Sequence, residues 1–329
     1  MNLPRSDPTQ AGVVRVLYIG SWGRSGSTLL DLMLGQLPGF VSVGELRYLW
    51  ERGLRNRERC GCGVPVPECP FWGAVLQRAF GGVEPLEVAR LHAQWRRVDG
   101  LGRLPWLAGP WRPAGFDREL AAYREVLARL YAAVQVVSGA RVLVDSSKYA
   151  AYGLILAGVP TLDLRVLHLV RDSRAVAYSW TRQKRMPEVG TEERYMPRKG
   201  SARSAFYWSL ENLALQLLRR AAGAYQVLRY EDLTADPGRW IAAATGALGL
   251  PTPDTGFLHT RRLSLGENHT VAGNPVRFTR GEVVITPDTA WTTGLRPADR
   301  RVVTALTWPL LARYGFPSGA VQPPRDPGV

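Results

Sequence analysis

A glycine- and serine-rich turn near the amino terminus carries the clearest chemical signal in this sequence. The turn spans residues 20–27, follows an apolar run typical of a strand, and leads into a segment typical of a buried helix. Such a turn presents unpaired backbone N–H groups and the positive end of a helix dipole to an anion. Ser25, Ser27 and Thr28 add hydroxyl donors, and Arg24 adds positive charge. The sequence therefore predicts a phosphate or sulfate site at this turn.

The position of the positive charge bears on which anion the turn binds. A loop that binds ATP or GTP reads GxxxxGK[ST], with a lysine after the last glycine and a Mg²⁺-binding hydroxyl next. Here Ser27 follows Gly26, and the cation, Arg24, precedes the glycine. Asp145 ends an apolar run and mimics the Mg²⁺-binding aspartate of such enzymes, so a small-molecule kinase using Mg-ATP stays open as the alternative. The missing lysine counts against it, because phosphoryl transfer relies on that residue.

Arg171 and Ser179 form a second candidate phosphate site. Arg171 ends an apolar run typical of a strand, and Ser179 follows eight residues later, about two turns along the next predicted helix. Arginine binds phosphate through a planar fork of donors. Residues 23–30 resemble the 5′-phosphosulfate loop of the sulfotransferases that use PAPS (3′-phosphoadenosine-5′-phosphosulfate). Residues 168–179 resemble the 3′-phosphate motif of the same family.

Three further segments are similar to bacterial and tyrosylprotein-type sulfotransferases, at residues 144–148, 228–233 and 269–277. The resemblance departs at Arg24, where many members carry lysine. It implies a P-loop-like sulfotransferase fold, PAPS as the donor, adenosine 3′,5′-bisphosphate as the product, and no metal. The nucleotide-binding residues that it implies are Gly23, Arg24, Ser25, Gly26, Ser27, Thr28, Leu29, Arg171, Ser179, Tyr230, Arg277, Arg280 and Gly281.

Sulfuryl transfer is an in-line displacement at sulfur, with a phosphate as the leaving group. It needs positive charge on the departing oxygen and a base for the acceptor hydroxyl. Arg24 and Lys148 are the candidate charges. Lys148 ends one of the family-like segments in a chain whose other lysines are only Lys184 and Lys199. A surface lysine at a strand end is the structural alternative for Lys148.

Glu45 is the candidate base for the acceptor hydroxyl. It follows the predicted helix after the turn, and tyrosylprotein and several glycan sulfotransferases carry their catalytic glutamate at a similar place. A carboxylate beside the hydroxyl can accept its proton. An ion pair with Arg47 or Arg52 is the structural alternative for Glu45. His92 is the alternative base, because aryl-type cytosolic members use a histidine farther from the loop.

All three cysteines, Cys60, Cys62 and Cys69, lie in one short segment. They could supply three metal ligands, but no fourth ligand is evident near them in the sequence. Free thiols, or one strained disulfide bridge, are the simpler interpretation. We therefore expect no metal site.

Apolar runs and helical patterns alternate along the chain and predict an α/β fold, with a mostly parallel central sheet and helices on both faces. One sulfotransferase domain is expected at residues 14–316, with flexible tails at 1–13 and 317–329. Residues 50–116 contain five tryptophans and all three cysteines, and they read as an insertion over the sheet. Two interpretations of this insertion stay open: it binds the acceptor, or it is a structural cap with its own core. Further strands are predicted at 141–144, 164–170 and 226–230, and helices near 117–137, 173–183, 203–222, 238–248 and 298–314.

The composition limits the partners. The net charge is +14 and comes almost entirely from arginine, which suits an anionic ligand. The basic residues are dispersed, so we expect no nucleic-acid partner. No apolar stretch is long enough to span a membrane, and the amino terminus lacks a secretion signal, which predicts a cytoplasmic protein. A small-molecule hydroxyl acceptor is therefore expected, and the oligomeric state stays open.

Overall fold

The computed structural model describes most of the chain, in the ranges 12–183, 185–186, 194–251, 254–258 and 261–316. Of the two predicted tails, only residues 12 and 13 lie among the described residues. No helix within these ranges combines the length and the apolar character needed to cross a membrane.

A five-stranded parallel sheet forms the centre of the molecule, which confirms the predicted fold class. Its strands stand in the order β2-β3-β1-β4-β5. The strand at 40–44 was not predicted, because it is short and lies at the sheet edge beside glycines. The strands are β1 Val14–Gly20, β2 Phe40–Gly44, β3 Val142–Lys148, β4 Leu162–Val170 and β5 Ala224–Arg229.

Both faces of the sheet are covered, as continuous apolar strands require. In β1, Val16 and Tyr18 belong to one apolar cluster, whereas Leu17 and Ile19 belong to the cluster on the opposite face. All four side chains are fully buried. Because successive side chains of a strand point to opposite faces, this pattern places β1 in the middle of the molecule.

Helices surround the sheet, and the helix predicted after the turn and the five predicted farther along the chain are all present. The helix predicted at 203–222 is divided into two. The α-helices are α1 Ser27–Leu34, α2 Pro70–Phe80, α3 Pro85–Val98, α4 Leu104–Ala108, α5 Phe116–Ser138, α6 Ala150–Ala157, α7 Ser173–Thr181, α8 Ser201–Leu215, α9 Leu218–Ala221, α10 Tyr230–Ala235, α11 Pro237–Ala247, α12 Trp291–Gly294 and α13 Pro297–Arg313. Shorter helical turns are Leu46–Tyr48, the π-helix Leu49–Arg55, Val66–Glu68, Leu101–Arg103, Gly256–Leu258 and Pro275–Phe278.

The insertion at residues 50–116 contributes no strand to the central sheet and is mainly helical. Trp50, Trp72 and Trp95 are buried, and they belong to the same apolar cluster as Val16 on one face of the sheet. The insertion therefore shares the core of the sheet. Two small antiparallel pairs complete the described strands, at Arg185–Met186 with Arg194–Tyr195 and at β6 Arg262–Leu265 with β7 Gly281–Val284.

Candidate functional site

The carboxyl edge of the sheet brings together residues that the sequence singled out. Arg24 lies in the turn after β1, Glu45 follows β2, Lys148 ends β3, Arg171 follows β4, and Tyr230 follows β5. The connection from β1 leads toward one edge of the sheet, and that from β4 leads toward the other. In open parallel sheets such a reversal opens a crevice at the carboxyl ends of the strands, where ligands bind. The topology thus places Arg24 and Arg171 beside this crevice.

The glycine-rich turn passes directly into α1, as predicted. Gly26 caps the helix with a φ of 91°, a conformation that L side chains rarely adopt. A Cβ at Gly26 would lie 2.4 Å from the ring of Tyr230, so no side chain fits at this position. Ser25, Ser27 and Thr28 are buried around the helix amino terminus. This arrangement presents N–H and hydroxyl donors at the positive end of the α1 dipole.

Several donors at the turn are buried without a protein partner. Among the described residues, Arg24 Nε and Nη2 and Ser25 Oγ have no hydrogen-bond acceptor. The Arg24 guanidinium carbon lies 5.0 Å from the centroid of the Trp180 ring, and burial lowers the pKa of Arg24. Buried donors of this kind are costly unless a partner satisfies them. The turn therefore fits an anionic group that accepts several hydrogen bonds.

Arg171 faces the same turn from the end of β4. Its Nη1 donates to the Arg24 carbonyl oxygen at 3.0 Å, and its Nη2 donates to Asp288 Oδ2 at 2.7 Å. The Tyr230 ring centroid lies 4.5 Å from its guanidinium carbon. Although partial burial alone would raise the pKa of Asp288, the charge of Arg171 lowers it. At this position Arg171 therefore donates a hydrogen bond to an anionic oxygen.

Glu45 and Lys148 form a buried ion pair, in which Lys148 Nζ donates a hydrogen bond to Glu45 Oε1. The two residues are 5% and 9% exposed, so little water reaches the pair. The expected alternative partners of Glu45 are engaged elsewhere. Arg47 Nε lies 2.5 Å from Asp99, and Arg52 lies 2.8 Å from Glu58. A carboxylate that can accept a proton and a fixed positive charge therefore stand together at the carboxyl edge.

Residues 269–277, one of the segments singled out in the sequence, border Glu45 and the turn. The Glu45 backbone N–H donates to Val271 O at 2.8 Å, and the Asn274 N–H donates to Thr28 Oγ1 at 3.3 Å. A Cβ at Gly273, where φ is 101°, would lie 3.3 Å from Glu45 Oε1 and 3.5 Å from Thr28 Oγ1. The segment thus packs directly against two candidate site residues.

Other predicted nucleotide contacts lie farther along these elements. Arg277 is buried, and its two terminal nitrogens donate to Thr270 O at 2.7 Å and Arg59 O at 2.6 Å. Burial lowers the pKa of Arg277 to about 10. Arg280 donates to the Gly61 carbonyl oxygen. The binding roles of Arg277 and Arg280 stay predictions, as do those of the half-buried Ser179, Gly23 and Leu29 and of the exposed Gly281.

His92, the alternative base, lies in α3. Its Nε2 is 3.8 Å from Glu51 Oε1, its ring packs 5.5 Å from the Trp95 ring, and burial lowers its pKa. None of these contacts, within the part of the chain that the structure describes, reaches Arg24 or Arg171. The geometry therefore connects Glu45, rather than His92, to the turn.

Asp145, which the kinase interpretation needs for Mg²⁺, is completely buried in β3. Tyr131 OH donates to its Oδ2, and the Ser147 N–H donates to its Oδ1 at 2.7 Å. Burial raises the pKa of Asp145 to about 6. Both carboxylate oxygens are engaged by the protein, so the magnesium-binding role has no geometric support.

Two residues of the site were missed by sequence reasoning. Trp180 packs on Arg24 and donates from Nε1 to Gly23 O at 3.1 Å. Asp288 lies more than a hundred residues beyond Arg171, with which it pairs. Trp180 directly follows Ser179, which could have drawn attention to it. No sequence pattern marks Asp288, because its position depends on the path of the chain after β5.

A known protein family matches most of this chain. A family model described as the sulfotransferase family matches residues 17–254. A search of curated proteins finds no match. Among solved structures, a sulfotransferase domain from the curacin biosynthetic pathway is 18% identical, with 91% of this chain and 97% of that chain covered and a TM-score of 0.47. Sulfotransferase STF9 from Mycobacterium avium is 12% identical, with 94% of this chain and 79% of that chain covered and a TM-score of 0.44.

Proposed function

The chain belongs to the sulfotransferase family, and from this membership we propose that it transfers the sulfuryl group of PAPS to a hydroxyl of a small molecule. One observation carries the proposal. The buried donors of Arg24 and Ser25 that have no acceptor among the described residues lie at the amino terminus of α1, at the sheet edge that also carries the buried Glu45–Lys148 pair. Transfer from an anionic donor to a hydroxyl needs groups that bind the anion and a base for the hydroxyl at the same site.

In this proposal the 5′-phosphosulfate lies against the turn. Backbone N–H groups of α1, the hydroxyls of Ser27 and Thr28, and the charge of Arg24 bind its oxygens. Arg171, across the turn, binds the 3′-phosphate, and its present hold on the Asp288 carboxylate supports this role. Such fixed donors stabilise the charge that develops as the donor is cleaved, without reorganising during the reaction.

Glu45 is the proposed base of the transfer step. The acceptor oxygen attacks sulfur and forms the new S–O bond, while the bond between sulfur and the bridging phosphate oxygen breaks. The hydroxyl proton passes to Glu45, and the electron pair of the broken bond leaves with adenosine 3′,5′-bisphosphate. Lys148 and Arg24 stabilise the departing oxygen. The ion pair supports this assignment, since Lys148 holds the Glu45 carboxylate in place.

The insertion at 50–116 is the proposed acceptor-binding element. The π-helix Leu49–Arg55, most of which belongs to the insertion, begins four residues after Glu45, so the insertion follows the proposed base closely along the chain. The proposed acceptors are small hydroxyl compounds such as secondary metabolites, glycolipids or sugars. The predicted cytoplasmic location and the absence of a nucleic-acid partner rest on the sequence alone and stay predictions.

The proposal is tested by supplying PAPS with a panel of phenolic and sugar acceptors and measuring release of adenosine 3′,5′-bisphosphate. We expect acceptor-dependent release without added Mg²⁺, and loss of that release in Lys148→Met, which removes the charge but keeps most of the side-chain length. A parallel reaction with Mg-ATP measures ADP. ADP release that depends on the same acceptors, with no bisphosphate from PAPS, would overturn the proposal in favour of a kinase.

A further inference from the structure

Four metal-ligand side chains come together away from the proposed donor site. They are Cys60, Cys62, Cys69 and His269, and their ligand atoms all lie within 4.8 Å of one another. Cys60 and Cys69 are buried, and the other two are half-buried. All three cysteines are free thiols. The sequence offered no fourth ligand near the cysteines, because His269 follows Cys69 by 200 residues and only the fold brings it to them.

The distances between these atoms match a tetrahedral zinc site, and we propose that the four residues bind one zinc ion. Zinc–sulfur bonds of about 2.3 Å and zinc–nitrogen bonds of about 2.0 Å place tetrahedral ligands about 3.8 Å (S···S) and about 3.5 Å (S···N) apart. Cys62 Sγ lies 3.7 Å from Cys69 Sγ. His269 Nδ1 lies 3.4 Å from Cys69 Sγ and 3.8 Å from Cys60 Sγ.

His269 is held in the orientation that a metal ligand needs. Its Nδ1 faces the sulfurs, and its other ring nitrogen lies 3.9 Å from Glu267 Oε1. A zinc-bound histidine usually donates its second ring N–H to a carboxylate, a backbone carbonyl or water, and Glu267 is the carboxylate on that side of the ring. The ring of Phe71 stacks on the imidazole, at 4.8 Å between centroids and 6° between planes, and Trp72 Nε1 donates to His269 O at 2.8 Å.

The backbone around Cys60 and Cys62 forms a tight turn that supports the cluster. The Gly63 N–H donates to Cys60 O at 2.8 Å, and the Cys60 N–H donates to Val64 O at 2.7 Å. The Gly61 N–H donates to Thr270 O at 2.9 Å, which joins the turn to the chain beside His269. The ligand atoms are thus preorganised by backbone contacts, so binding zinc would cost little rearrangement.

Four protein ligands fill a tetrahedral site, so the proposed zinc is structural rather than catalytic. It would fasten the insertion, which carries the cysteines, to the segment 269–277 that borders Glu45 and Thr28. This proposal revises the sequence-based expectation of no metal ligand. It leaves the proposed transfer chemistry without a metal, and it does not depend on the donor that the enzyme uses.

The direct test is the metal content of the chain purified without a metal-affinity step. We expect about one zinc per chain, as a closed four-ligand site requires. Cys62→Ser and His269→Gln should lose most of the zinc, whereas His92→Gln, which alters a histidine outside the cluster, should keep it. Wild-type protein produced with cobalt should show the visible absorption of tetrahedral thiolate-bound Co²⁺. Because this measurement uses the wild type, it does not depend on whether a variant folds.

Two outcomes would overturn the zinc site. The first is wild-type protein that carries no stoichiometric zinc and gives no thiolate–cobalt absorption. The second is a Cys62–Cys69 disulfide, detected by mass spectrometry of unreduced peptides, because a disulfide removes two of the thiolate ligands. An S–S bond of about 2.0 Å would need those sulfurs to approach from their present 3.7 Å.

Discussion

The Glu45–Lys148 pair is the residue-scale feature on which the proposed chemistry depends most. Two opposite charges taken out of water stabilise each other only when they are well paired, and removing one leaves the other buried alone. Both side chains come from the ends of neighbouring strands, β2 and β3. Lys148 adopts a φ of 76°, which is uncommon for a residue other than glycine. Backbone strain of this kind is often retained at functional sites.

Replacing Glu45 by glutamine tests the proposed base. Glu45→Gln keeps the shape of the side chain but cannot accept a proton at neutral pH. We expect kcat to fall by roughly 10²–10⁴. Affinity for adenosine 3′,5′-bisphosphate should stay within about threefold, a change of under about 1 kcal/mol. Steady-state kinetics and calorimetric titration measure the two quantities.

Glu125→Gln is the matched control for this variant, because Glu125 is an exposed residue of α5, outside the insertion and outside the residues assigned to the proposed site. It should retain turnover close to that of the wild type. Near-normal turnover in Glu45→Gln, combined with loss of turnover in His92→Gln, would move the base to the insertion. Loss of nucleotide binding in Glu45→Gln would instead make Glu45 a structural partner of Lys148.

Arg171→Ala tests recognition of the 3′-phosphate. Loss of a charge-assisted contact should weaken PAPS binding by about 1.5–3 kcal/mol. Binding of adenosine 5′-phosphosulfate, which lacks the 3′-phosphate, should change little. Asp288→Asn is the companion variant, since it removes the carboxylate that competes for Arg171, and PAPS should bind it at least as tightly as wild type. Equal losses for the two nucleotides in Arg171→Ala would place the role of Arg171 elsewhere.

At the scale of the elements, the turn between β1 and α1 depends on Gly26. Its positive φ and the contact with Tyr230 leave no room for a Cβ. We expect Gly26→Ala to lower the free energy of unfolding by about 1–3 kcal/mol. It should also weaken bisphosphate binding at least tenfold, about 1.4 kcal/mol, because the helix amino terminus moves. Chemical denaturation and calorimetry measure these effects.

Gly246→Ala provides the control for a glycine-to-alanine change. Gly246 lies in α11, and a Cβ there meets no atom within 4 Å. Alanine favours a helix interior over glycine by up to about 1 kcal/mol, so this variant should be as stable as wild type or more stable. Unchanged bisphosphate affinity in Gly26→Ala would contradict the assignment of the turn as the donor site.

The elements differed in how well the sequence predicted them, for physical reasons. β1, β3 and β4 are largely apolar runs in the middle of the sheet, which is a strong local signal. β5 lies at the sheet edge and was predicted from its own short apolar run. β2 and α6 were not predicted. β2 is only five residues long, and α6 begins just after the unusual backbone at Lys148. The glycine-rich turn and Arg171 were predicted because their chemistry is local. The Glu45–Lys148 pair and the approach of His269 to the cysteines were not, because both depend on long-range folding.

Across the whole molecule, the many arginines do not form one basic surface. Arg277 and Arg280 donate to backbone carbonyls, and Arg47 and Arg165 pair with aspartates. Much of the charge therefore supports the structure. The remaining donors that lack partners among the described residues include those of Arg24, at the carboxyl edge of the sheet. This distribution favours one small anionic ligand over a long polyanion.

Calorimetric titration of the wild-type protein tests the identity of the donor. Adenosine 3′,5′-bisphosphate in buffer without added Mg²⁺ is compared with ATP plus Mg²⁺. Chelators are left out so that the proposed zinc stays bound. We expect saturable binding of the bisphosphate and an increase in Tm with its concentration, since a ligand of the folded state stabilises that state. Binding of Mg-ATP together with no binding of the bisphosphate would rule out PAPS as the donor.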